Sequence, residues 1–61
     1  SNRRLQDKLE ELKLVDRAKC LLISEGMSEE EAHKYIESNA MDMRVSKKQI
    51  AEKIISLKQY D

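Results

Sequence analysis

GMSEEEAHKYIESNAMDMRVSKKQIAEKII, residues 26–55, carries two helix starts of the same design. Ser28 precedes Glu31, and Ser46 precedes Gln49, by three residues. At that spacing the serine hydroxyl accepts a hydrogen bond from the amide of the third helical residue, whose side chain reaches back to the serine amide. Met27 with Ala32, and Val45 with Ile50, fall at the flanking positions where apolar side chains close over such a start. Glu29, Glu30 and Glu31 also suit the positive end of a helix dipole. The stretch therefore reads as two helices with short connections, at Gly26-Met27 and around Arg44-Val45, whose geometry is set locally.

Upstream, nothing breaks a helix from about Arg3 to Glu25, and Gly26 is suited to end it in the left-handed conformation. Leu5, Leu9 and Leu12 follow the four-then-three spacing of a coiled-coil seam, but the next seam positions are Asp16 and Lys19. The apolar stripe moves instead to Leu14, Val15, Ala18, Leu21 and Leu22, with Cys20 a further candidate, a broader face suited to packing inside its own chain. The same periodicity predicts core positions Ala32, Ile36, Ala40 and Met43 in the second helix, flanked by Tyr35, and Ile50, Ala51, Ile54 and Leu57 in the third. The expected fold is all-α, a three-helix bundle whose extended first helix begins as a short coiled coil. Residues 1–13 form the end of the coil and 14–61 the bundle.

Composition agrees with this. The chain has 61 residues, 39% of them charged, no proline and one glycine, which disfavours a sheet with tight turns. A core of this size has little room for a catalytic cleft, so a binding role leads. A single cysteine cannot form an internal disulfide and has no metal-binding spacing around it, so a reducing cytoplasm is the expected setting. No apolar run approaches the roughly 18 residues of a membrane span, and a soluble protein is expected. The abrupt start within a charged helical pattern reads as a piece of a longer chain. Net charge is zero but uneven: residues 1–13 carry +1, 14–31 carry −3, 32–45 balance and 46–61 carry +2. Any nucleic-acid contact must use a local patch.

No residue pattern predicts an enzyme, a metal or a cofactor. His33 has no Cys, Asp or second His at ligand spacing and reads as a surface histidine. Cys20, in mid-helix, reads as small filler, and Ser28 and Ser46 as caps. Lys47 and Lys48 leave two readings. They form a solvated first turn, or, because lysines oppose the dipole there, they serve an anion such as a phosphate backbone.

Taken in order, DRAKCLLISEGMSEEEAHKYIESNAMDMRVSKKQIAEKII, residues 16–55, resembles the ANTAR domain, the RNA-binding output module of bacterial transcription antitermination regulators of the AmiR and NasR type. The resemblance covers about Leu12 to Ile55. It rests on Ala18-Lys19 with Leu21-Leu22, Ser28 with Glu31-Ala32, the pair Ala40-Met41, and Ile50-Ala51. It implies a three-helix domain behind a dimerising coiled coil, joined in the parent protein to a receiver or other sensor domain. Such a domain binds paired stem-loops in an mRNA leader and prevents a terminator hairpin from forming. Leu5, Leu9 and Leu12 would belong to the dimer seam. Cys20 stands where the family often has glycine, and Glu37 where many members carry arginine, which leaves Lys19, Arg44, Lys47 and Lys48 to supply the positive surface. With only Tyr35 and Tyr60 as aromatics, recognition would lean on loop shape, phosphates and hydrogen bonds rather than stacking. Arg44 is the first choice for a direct contact, since its planar fork suits phosphate or guanine.

Two other classes fit parts of the pattern. GMSEEEA, residues 26–32, is similar to the first loop of ubiquitin-binding three-helix modules, though the leading seam and the lack of a later glycine count against it. A helix-turn-helix DNA binder would use Ser46 to Leu57 as its recognition helix, but its turn lacks the usual glycine.

Overall fold

The computed structural model describes residues 2–58 and folds them into three helices: α1 (Asn2–Ser24), α2 (Glu29–Met43) and α3 (Lys47–Lys58). Tyr60 lies outside the described residues. All three helices pack on one another, most extensively α1 on α3. Ion pairs from Lys48 to Glu10 and from Lys58 to Glu25 show that α1 and α3 run in the same direction, with α2 returning between them.

The two junctions have one design. At the first, the Gly26 amide donates to the Ile23 carbonyl (3.0 Å) and the Met27 amide to the Leu22 carbonyl (3.2 Å). At the second, the Arg44 amide donates to the Met41 carbonyl (3.2 Å) and the Val45 amide to the Ala40 carbonyl (3.0 Å). Both are Schellman stops, which satisfy the last carbonyls of one helix before the next begins. The capping boxes follow as expected. The Glu31 amide donates to Ser28 Oγ at 3.1 Å and the Ser28 amide to Glu31 Oε1 at 2.9 Å. The Gln49 amide donates to Ser46 Oγ at 3.2 Å and the Ser46 amide to Gln49 Oε1 at 3.4 Å. Met27 and Val45, the staple residues, pack half-buried against the core.

That core is small and rich in alanine: Ala18 and Leu22 from α1, Ala32, Ile36 and Ala40 from α2, and Ile50, Ala51 and Ile54 from α3. Ala18, Ala32 and Ala51 are fully buried, one per helix, so the backbones approach closely and Ile36 fills the centre. Leu14, Val15 and Ile55 pack half-buried around it.

Three sequence expectations are corrected. Met43 is 50% exposed, Leu57 is 68% exposed, and Cys20 is exposed. The buried residues follow rows of four: 14, 18 and 22 in α1; 32, 36 and 40 in α2; 50 and 54, beside 51 and 55, in α3. Met43 and Leu57 each lie a step of three beyond a buried residue, and that step leads off the i±4 ridge to the side of the helix. Cys20 lies outside the α1 rows altogether.

Leu5, Leu9 and Leu12 are 67%, 53% and 56% exposed, a row of leucines that the chain's own helices leave uncovered.

Candidate nucleic-acid interface

The cationic residues singled out in the sequence divide into two pairs. Lys19 and Lys47 line one groove, of about 260 Å³, formed by α1, α2 and the start of α3. Leu12, Val15 and Ile36 give the groove its apolar surface, Lys8, Glu11 and Asp16 line it from α1, and His33 and Glu37 line it from α2. Lys19 also shares the adjoining surface with Ser28, Glu29, Glu30 and His33. Arg44 and Lys48 lie outside the groove. Arg44 is exposed in the turn between α2 and α3, while Lys48 reaches across to α1.

Each lysine in the first turn of α3 meets a carboxylate from a different helix. Lys47 Nζ lies 3.6 Å from Glu37 Oε2 of α2. Lys48 Nζ lies 2.7 Å from Glu10 Oε1 of α1. Two lysines at a helix start oppose the dipole, and these carboxylates offset that unfavourable placement. The hydrogen bond from Lys48, reinforced by its charge, holds Glu10 below the usual carboxylate range, and the same contact raises Lys48. Among the described residues, Lys19 and Arg44 have no carboxylate at ion-pair distance.

Sequence reasoning did not place His33 at this site, and it took Glu37 only as the loss of a positive contact. His33 Nε2 lies 3.3 Å from Glu37 Oε2, so one carboxylate oxygen serves both His33 and Lys47. The i, i+4 spacing of His33 and Glu37 was a readable sign of contact on a helix. The pairing of Glu37 with Lys47 depends on how α2 and α3 meet, and no local pattern contains it.

Among the described residues, Arg44 is the one non-glycine residue with a positive φ. It lies in the left-handed region, with φ 55° and ψ 45°, at the stop of α2. Gly26, with φ 112°, fills the corresponding place at the end of α1. A residue with a β-carbon is disfavoured there by roughly 1–2 kcal/mol, so the second junction carries a cost the first avoids. The guanidinium it displays is exposed and unpaired among the described residues, as a ligand contact would require.

Residues 3–55 match the family model described as ANTAR domain. The chain is also similar to the transcriptional regulatory protein PdtaR of Mycobacterium tuberculosis, in strains CDC 1551 and H37Rv, with 46% identity over 52 residues in each. The aligned part is 84% of this chain and 25% of those proteins, so the chain spans about a quarter of the length of the curated relatives it matches. No solved structure matches the chain significantly.

Proposed function

The chain belongs to the ANTAR domain family, and on that premise we propose that it is the RNA-binding output domain of a transcription antitermination regulator. In this reading it grips paired stem-loops in an mRNA leader and so keeps a terminator hairpin from forming. Residues 14–61 form the RNA-binding bundle, and residues 1–13 are the end of a coiled coil that dimerises the longer parent protein through Leu5, Leu9 and Leu12. The work is binding, carried out in the cytoplasm, with no cofactor.

One observation carries the reading: Arg44 stands in a left-handed turn where the sister junction uses glycine. Residues held in disfavoured backbone conformations concentrate at binding and catalytic sites, where the side chain has a use that outweighs the strain. Lys19 supports it, as a groove-lining cation with no carboxylate at ion-pair distance among the described residues, although Glu11, Asp16 and Glu37 line the same groove. Lys47 and Lys48 extend the positive surface along the first turn of α3. The similarity to a protein called a transcriptional regulator points the same way.

RNA titration tests this. Arg44, Lys47 and Lys48 changed together to alanine should weaken binding to a paired stem-loop leader while circular dichroism shows the helices intact. Wild-type affinity should fall as salt rises, and the mutant slope should be flatter by about one unit per lost phosphate contact. Duplex DNA and ubiquitin, offered in parallel, address the two rival classes. Unchanged affinity and slope in the triple variant would move the site to another face.

A further inference from the structure

The two lysines at the start of α3 arrive at any RNA already paired. Glu37 and Glu10 come from different helices and meet adjacent residues of a third, so the arrangement is not a run of neighbouring charges along one helix. Glu37 lies on the groove that Lys19 also lines and shares one oxygen between Lys47 and His33, so it meets a phosphate entering that groove. Its charge draws Lys47 away from an anionic ligand and repels the ligand as well.

Building on the RNA-binding reading above, we propose that Glu37 and Glu10 are built-in competitors of the RNA phosphodiester for Lys47 and Lys48. They set the affinity of the domain below what its cations alone would give. The side chains in both pairs are a third or more exposed, at 45% and 46% for Lys47 and Glu37 and 33% and 61% for Lys48 and Glu10. Exposed pairs of this kind are weak and screened by salt. A phosphate therefore displaces them at small cost, and the competition lowers affinity without abolishing it. The pairs also hold the lysine side chains against the bundle in the absence of ligand, so each carboxylate keeps its lysine from binding anions indiscriminately.

The test replaces each carboxylate by its neutral isostere, Glu37→Gln and Glu10→Gln, singly and together, and titrates the stem-loop RNA at several salt concentrations. Glu25→Gln is the control: it makes the same change in net charge and releases Lys58 at the other end of α3. Each single variant should tighten RNA binding by up to about fivefold at low salt, with Glu37→Gln the larger effect, and the gain should shrink as salt rises. The salt slope should steepen by up to about one unit per released lysine, which a purely structural role would not produce. The control should bind as wild type does. Binding that is unchanged or weaker in Glu37→Gln and Glu10→Gln, with helices intact and wild type bound to RNA, overturns the proposal and leaves the RNA-binding reading standing. An equal gain in the control reduces the effect to overall charge and also overturns it. If wild type fails to bind the RNA, the RNA-binding reading itself falls and takes the inference with it; if the lysine and arginine substitutions leave binding untouched, the site lies on another face and this inference is overturned.

Discussion

Replacing Arg44 by glycine and by alanine separates what the residue does for stability from what it does for binding. Arg44 holds φ 55° and ψ 45°, and its amide satisfies carbonyls at the end of α2, so the left-handed turn is required by the Schellman stop. Any side chain with a β-carbon is penalised there by roughly 1–2 kcal/mol, and glycine is not. Glycine also gains freedom in the unfolded chain, which offsets about 0.4–1 kcal/mol of that relief. Arg44→Gly should therefore stabilise the fold by about 0.5–1 kcal/mol, or some 2–8 °C in the midpoint of a domain this small. Arg44→Ala keeps the β-carbon and should leave stability nearly unchanged. Both remove the guanidinium, so RNA affinity should fall by the same factor in each. Thermal and urea melts followed by circular dichroism give the first quantity, and RNA titration at fixed salt the second. Glycine normally destabilises when it replaces another residue, so the sign alone is informative. A less stable Arg44→Gly protein would show that the turn is not strained. It would remove the main support for a ligand contact at this position.

Ile36→Ala should cost about 3 kcal/mol, within the range for emptying a buried aliphatic site, because Ile36 is only 1% exposed at the centre of the core; Leu57→Ala should cost under about 1 kcal/mol, and similar losses for the two in urea denaturation would contradict the four-residue rows. Ser46→Ala should lower stability by about 1 kcal/mol through loss of the α3 cap, and an unchanged melting midpoint would show that the Ser46 Oγ contact adds nothing. Sedimentation at micromolar concentration should find these residues monomeric or weakly dimeric, since three seam leucines fall short of the roughly three heptads a stable two-stranded coil needs; a tight dimer that survives Leu9→Asp would place the interface elsewhere. Glu10, depressed in the fold by its hydrogen bond from Lys48 and by that charge, contributes stability that is present above its unfolded pKa of about 4.3 and lost as pH falls through the lower folded value; NMR titration of its carboxyl should show the low midpoint, and Lys48→Ala should return it to normal.

The junctions were the most legible part of the sequence because their bonds are local. Ser28 with Glu31 and Ser46 with Gln49 close within a single turn, and Gly26 marked the end of the first helix by its own conformational freedom. The left-handed Arg44 was not legible in the same way, since arginine carries no preference for that conformation. It was singled out for its charge, and the backbone supplied a second reason. The core was legible wherever the apolar step was four residues. Met43 and Leu57 were misplaced because a step of three is equally compatible with a helical stripe, and only the way the helices meet decides which ridge is covered.

The charged surface shows the same limit from the other side. Lys47 and Lys48 could be recognised as anomalous from the sequence alone, because two cations at a helix start work against the dipole. Their partners could not. Glu10 lies 38 residues before Lys48 and Glu37 ten before Lys47, and nothing in either spacing marks a contact between separate helices. The close approach allowed by Ala18, Ala32 and Ala51 is what brings α1 and α2 within reach of the first turn of α3. The alanines that make the bundle compact therefore also decide which lysines are neutralised. Lys19 and Arg44 escape, the first beside the groove and the second in a turn that the helices do not cover. A larger residue at Ala51 would push α3 outward, lengthening both ion pairs as it opened the core, so its effects on stability and on the charge pattern cannot be read separately. Glu37→Gln avoids that coupling, since it changes the charge and leaves the packing in place.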